Sequence, residues 1–196
     1  MGQNNLYPIF LKLENLQTLL VGGGNVGLEK LTALLKNSPE AKVTIVADFI
    51  CDEIVTLASK KKNVNLLKRK FFTSDLDGND ILILATNDRK LHERIKVVAR
   101  KKRILTNVAD TPDLCDFYLG SVVQKGDLKI GISTNGKSPT FAKRFREYLE
   151  ELLPDNIQEL VDNLHVFRNN LKGDFQFKVN ALNELTSSFL SKKPPS

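Results

Sequence analysis

The chain has few of the residues that would build a metal or disulfide scaffold: its 196 residues include two cysteines and two histidines. Cys51 and Cys115 stand far apart with no ligand spacing around them, so both read as ordinary reduced thiols. His92 and His165 also lack ligand-type neighbours, and they read as ordinary helix residues. No metal site is expected. Apolar runs are short too. None approaches the roughly 20 residues that cross a bilayer, and the opening MGQNNLYPIF is neither basic nor continuously apolar, which points to a cytoplasmic protein with no membrane partner. Internal repeats and low-complexity linkers are missing as well.

What is present is enough apolar material for a core, 41% of residues, and an excess of 29 basic over 23 acidic side chains that gives a net charge of +6. That balance favours an anionic partner without choosing among nucleic acid, phosphate and polycarboxylate. The Lys60-Lys61-Lys62 and Lys68-Arg69-Lys70 runs read mainly as solvated surface. Arg100-Lys101-Lys102-Arg103 closes a predicted helix, where cations suit the negative end of its dipole. No helix-turn-helix pattern with a polar recognition helix follows Ser138, and nucleic acid is not expected as a partner.

Through the first half, short Val, Ile and Leu runs alternate with amphipathic stretches, as when crossover helices join parallel strands. Strands are expected at Thr18 to Val21, Val43 to Val46, Val64 to Leu67, Ile81 to Ala85 and Ile104 to Val108. Helices are expected at Val26 to Lys36, Cys51 to Lys61 and Arg89 to Lys101, the last capped by Asp88. The alternation stops after Asp110. Phe117 to Val123 and Leu128 to Ser133 then predict a hairpin around Gln124-Lys125-Gly126-Asp127. Ser138 as N-cap and Pro139 at the first helical position open a helix that Pro154 ends. A second helix runs to about Asn170, Gly173 separates a third at Phe175 to Leu190, and the tail from Lys192 to Ser196 is expected to fray. The expected class is α/β. A Rossmann domain over 1–112 precedes a hairpin and dimerisation segment over 113–137 and a helical domain over 138–196.

Leu19-Leu20-Val21 leads into Gly22-Gly23-Gly24-Asn25-Val26-Gly27, a G-x-G-x-x-G placed between strand and helix. Gly22 permits the tight turn, Gly24 lets the backbone approach a pyrophosphate, and Gly27 lets helix and strand pack closely. The N–H groups of Asn25, Val26 and Gly27 open the helix toward the phosphates. The acid expected on the ribose is Asp48, which would favour NAD over NADP; capping the next helix is an equal alternative. Thr86 and Asn87, at the carboxyl end of the fourth strand, are expected cofactor neighbours. Asp110 follows the fifth strand at the same edge, where it could act as a general base or simply make a turn with Thr111-Pro112.

Several segments together resemble the precorrin-2 dehydrogenase and sirohydrochlorin ferrochelatase family, which includes the amino-terminal module of sirohaem synthases. They are Tyr7-Pro8-Ile9-Phe10, Val21 to Gly27 with Lys30, Ala85-Thr86-Asn87-Asp88, Asn107-Val108-Ala109-Asp110, Cys115-Asp116-Phe117-Tyr118, and Ser133-Thr134-Asn135-Gly136-Lys137-Ser138-Pro139. They occur in the family's order over roughly the first 150 residues. The resemblance implies NAD-dependent oxidation of the tetrapyrrole precorrin-2 to sirohydrochlorin, with Asp110 as the catalytic aspartate. It also implies Asn107, Ser133, Thr134, Lys137 and Arg146 on the substrate side, and an intertwined homodimer. Some members insert Fe²⁺ into the product. Gly27, Asn87, Gly120 and Asn135 depart from the family's usual alanine, aspartate, proline and glycine, and the last two bear on the substrate side. The chain shows no large methyltransferase region, so methylation is not expected. From another class, the alternative is a non-catalytic NAD-sensing regulatory protein.

Overall fold

The computed structural model describes residues 3–187. The expectations about the end of the third C-terminal helix and about the tail from Lys192 lie outside them. The chain divides into two compact units: one runs to Ser121 and takes back Ser133–Pro139, and the other comprises Val122–Ile132 and the chain from Thr140.

The first unit is a five-stranded parallel sheet made of β1 (Gln17–Gly23), β2 (Lys42–Ile50), β3 (Val64–Lys68), β4 (Ile81–Leu84) and β5 (Leu105–Val108), in the order β3-β2-β1-β4-β5. Three helices accompany it: α1 (Asn25–Asn37), α2 (Asp52–Ser59) and α3 (Arg89–Lys101). Alternate strand residues feed two cores. Leu20, Ile45 and Ile83 pack with Leu31, Leu34 and Ile54 of α1 and α2, while Leu19, Val46, Leu82 and Leu84 pack with Ile95 and Ala99 of α3. Burial on both faces explains why these strands read as continuous apolar runs. Each fully buried Leu or Ile contributes about 1.5–3 kcal/mol. The order reverses at β1, which puts the switch-point crevice beside the end of β1, where open α/β sheets bind ligands.

Between β3 and β4 the chain crosses without a full helix. Arg69 grips both oxygens of Asp75, at 2.8 and 2.6 Å, and Asp75 also accepts from the Phe72 N–H at 2.8 Å. This pairing holds the Asp75 carboxyl below the usual carboxylate range.

Several boundaries differ from expectation. β2 continues to Ile50, so Asp48 lies within the strand rather than past it, and α2 starts at Asp52. The hairpin's first strand, β6 (Ser121–Lys125), starts four residues after Phe117 because Phe117 packs against the core and its carbonyl is bound by Asn107. Only Gly126-Asp127 remain for the turn before β7 (Leu128–Ile132). Gly126 takes φ +57°, as tight two-residue hairpin turns require.

In the second unit the hairpin is joined by α4 (Pro139–Leu152), α5 (Ile157–Asn170) and α6 (Phe175–Thr186). Pro139 opens α4 and Pro154 separates α4 from α5, as expected. The Lys125 ammonium donates to the Leu153 carbonyl and to Asp155, both at 2.7 Å, and Gln158 accepts from the Asp127 N–H at 2.6 Å. The turn is thereby tied to the start of α5. Among the described residues no helix is long and apolar enough to cross a membrane.

Candidate cofactor and catalytic site

Three glycines of the loop have distinct physical reasons. At Gly22, φ is +120° and a Cβ would lie 2.4 Å from the Ala85 carbonyl oxygen. At Gly27 a Cβ would lie 2.2 Å from the Gly22 carbonyl oxygen, so helix and strand touch through bare backbone. Gly24 is different. A Cβ there meets nothing within 4 Å among the described residues, so none of them explains the missing side chain. Open space over a glycine at a helix N-terminus is the fit expected for a pyrophosphate. No side chain caps α1, and its ladder opens with the Leu28 N–H donating to the Gly24 carbonyl at 2.9 Å. Val26 packs its side chain against the core, which leaves its N–H as the group it can offer.

The register lines up the other candidates. Val21 pairs with Leu84, and Leu84 with Val108. One step further, the Ala85 N–H donates to Val21 and the Ala109 N–H to Leu84, at 2.8 and 2.9 Å. Gly22, Ala85 and Ala109 therefore sit abreast, and neighbouring strands are about 4.8 Å apart. Asp110 comes one residue later, about two strand spacings from the glycine loop. Thr86 and Asn87 lie between them. Asp88 caps α3, accepting from the Leu91 N–H at 2.9 Å.

Asp110 is exposed and takes φ +55°, a left-handed conformation that costs a non-glycine residue of order 1 kcal/mol. Its carboxylate has no hydrogen bond or ion pair among the described residues. The loop that carries it is held firmly. The Cys115 sulfur accepts from the Val108 N–H at 3.2 Å, its S–H faces the Val108 and Thr111 carbonyls at 3.3 and 3.5 Å, and burial pushes the thiol's pKa up. Beyond it, residues 115–117 run along β5, the outer strand of the sheet. Asp116 exchanges hydrogen bonds with both backbone groups of Thr106, at 2.7 and 2.9 Å, and pairs with Lys96. This strap covers an otherwise open edge.

Asn107 belongs to the same fastening. It is 6% exposed and its amide donates to the Phe117 carbonyl at 2.9 Å, which fastens the strap. Asp48 is exposed two residues before Ile50, which pairs with Gly23 beside the loop. It accepts from the Phe49 N–H at 3.0 Å and does not cap α2, whose N-cap is Cys51. Ser133 accepts from the Asn135 N–H and Thr134 from the Ser138 N–H, at 3.2 and 3.1 Å. These bonds close a turn in which Asn135 and Gly136 take positive φ, leaving Lys137 exposed. Arg146 belongs to the second unit. Its guanidinium donates to both oxygens of Glu150, at 2.8 and 2.7 Å.

Comparison with known proteins then decides the family. Residues 9–121 match the family described as putative NAD(P)-binding. The chain belongs to that family. Residues 125–152 match the central segment of sirohaem biosynthesis proteins, as the resemblance to sirohaem synthases implies. Similar relatives are the siroheme synthase of Pseudoalteromonas translucida, 37% identical over 169 residues, and that of Vesicomyosocius okutanii, 34% identical over 171. These alignments cover 86% and 87% of this chain. They cover 35% and 36% of those proteins, so the chain spans about a third of their length. Among solved structures, SirC, precorrin-2 dehydrogenase, matches with a TM-score of 0.73 and 24% identity, covering 92% of this chain and 89% of that one. The fold is therefore the Rossmann sheet, hairpin and C-terminal helices expected from the sequence.

Sequence reasoning took His92 for an ordinary helix residue. It is buried, with Nε2 2.7 Å from the Thr86 hydroxyl. Its spacing with Ile95 and Ala99 was the available signal, since those positions share the inward face of α3. Cys115 was likewise read as an ordinary thiol. Only the fold shows that it clamps the Asp110 loop.

Proposed function

We propose that the chain oxidises precorrin-2 to sirohydrochlorin with NAD, and that Asp110 is the general base. The observation that carries this reading is Asp110 itself: an exposed, unpaired carboxylate in a left-handed conformation, beside a glycine loop with space for a pyrophosphate. Bound NAD supplies the hydride acceptor. Gly22, Gly24, Asn25, Val26 and Gly27 hold the dinucleotide phosphates, with Asp48 on a ribose and Thr86 and Asn87 along the carboxyl edge. Asp110 takes the proton lost from the macrocycle as hydride leaves. Its short, strapped loop holds the backbone that carries the carboxylate, so little main-chain reorganisation is needed at the moment of transfer. Ser133 and Thr134 keep hydroxyl protons for substrate oxygens, and Lys137 meets a substrate carboxylate. Adding precorrin-2 and NAD to the purified chain and following NADH absorbance tests this. Turnover that Asp110→Ala abolishes supports the reading; equal turnover by both proteins removes Asp110, and turnover by neither removes the reaction.

Fe²⁺ insertion into sirohydrochlorin belongs to the same proposal, with Asp110 taking the pyrrole protons and the ion entering as substrate. The cytoplasm is the proposed location, in keeping with two free cysteines. The proposal also includes a homodimer built through the second unit. Phe141, Phe145 and Tyr148 form a stacked aromatic row on α4, and Phe141 and Tyr148 are each 57% exposed. Sedimentation at micromolar concentration is expected to give a dimer.

A further inference from the structure

His92 is 3% exposed, and its Nδ1 is buried without a hydrogen-bond partner among the described residues. Burial lowers its pKa against the opposing field of Asp88, so the ring is neutral near pH 7. A neutral imidazole has one N–H. Were that proton on Nδ1, a donor would be buried with nothing to receive it, and orphaned N–H groups are the rarer and costlier kind. With the proton on Nε2, the ring donates to Thr86 Oγ1 at 2.7 Å and only a lone pair at Nδ1 goes unmet. The threonine hydroxyl then has its own proton to give. Thr86 Oγ1 has no other partner among the described residues. Thr86 is half-buried at the carboxyl end of β4, and its methyl carbon lies 3.3 Å from where a Cβ on Gly22 would stand.

We infer that His92 is a positioning residue that makes the Thr86 hydroxyl a dedicated donor to an acceptor oxygen of the dinucleotide on the glycine loop. This rests on the dinucleotide reading above and extends it to a residue whose only route to the ligand is through another side chain. An acceptor oxygen matched to that donor gains a hydrogen bond. A ligand presenting a second donor there would leave Thr86 unsatisfied.

The tautomer can be read without any ligand. ¹⁵N chemical shifts of the histidine ring nitrogens, assigned with His165→Gln, are expected to show Nε2 protonated and Nδ1 bare in His92; the reverse overturns the inference. Calorimetric titration with NAD then tests the coupling. Thr86→Val and His92→Leu are each expected to weaken binding about five- to tenfold. The double variant should be no weaker than either, Thr86→Ser should retain affinity, and His92→Gln, whose amide can donate in place of Nε2, should restore most of it. Losses that add in the double variant, or NAD affinity equal in all variants, overturn the role of His92 alone. A wild-type chain that binds no NAD overturns this inference and the dehydrogenase reading together.

Discussion

The two units differ sharply in how they use apolar residues. In the first, strands and helices bury Leu, Ile and Val on both faces of the sheet. In the second, Val123 and Ala142 are the buried apolar residues among those described, while α5 and α6 bury none. Large side chains such as Leu152, Val166, Phe175 and Phe177 are exposed there. One unit is a finished core that can hold Asp110 in a costly conformation. The other has the composition of a surface meant to be covered, consistent with the dimer proposed.

Chemistry gives the widest contrast between the units. Asp110→Ala is expected to lower turnover by about 10²–10⁴-fold with unchanged NAD affinity, in steady-state assays and calorimetry. Arg146→Ala, in the second unit with its guanidinium already bound to Glu150, should change KM by no more than about threefold. Comparable losses from both would end the assignment of chemistry to the first unit.

Stability should divide the same way. Ile83→Ala is expected to cost about 2–5 kcal/mol in denaturant unfolding. Leu152→Ala, at 62% exposure, should stay within about 0.5 kcal/mol when the protein is monomeric. Gly27→Ala is expected to cost less than Ile83→Ala, about 1–3 kcal/mol, because its Cβ must displace backbone at Gly22.

The smallest effect is electrostatic. The pKa of His92 is lower folded than unfolded, so the unfolded chain takes up its proton first as pH falls. Stability from this group is complete above an imidazole's ordinary value of about 6.5 and declines as pH drops below it. His92→Gln should remove that decline below about pH 6.5, read as melting temperature against pH, while the loss tied to Asp75 persists at lower pH.

The sheet and its helices were legible because period and composition agree over each element: Leu31, Leu34 and Leu35 keep helical spacing, and β4 is apolar throughout. The glycine loop was legible for the same reason, since its motif falls where strand becomes helix. Longer-range detail was not. Nothing near Phe117 reveals that Asn107 will take its carbonyl, so a β-rich stretch was assigned to the hairpin when it serves as a strap. The roles of Cys115 and His92 likewise depend on partners that only folding brings within reach, and the pairing of Arg146 with Glu150, although close in sequence, depends on rotamers that spacing does not specify.

The open space over Gly24 separates two kinds of selection. Substitutions at Gly22 and Gly27 strain the backbone itself, so any screen for folded protein would count them as damaging. An alanine at position 24 collides with nothing among the described residues, and such a screen would score it as silent. Only a screen that demands the bound dinucleotide would register it. On the proposed reading, position 24 therefore marks where the requirements of the ligand diverge from those of the fold.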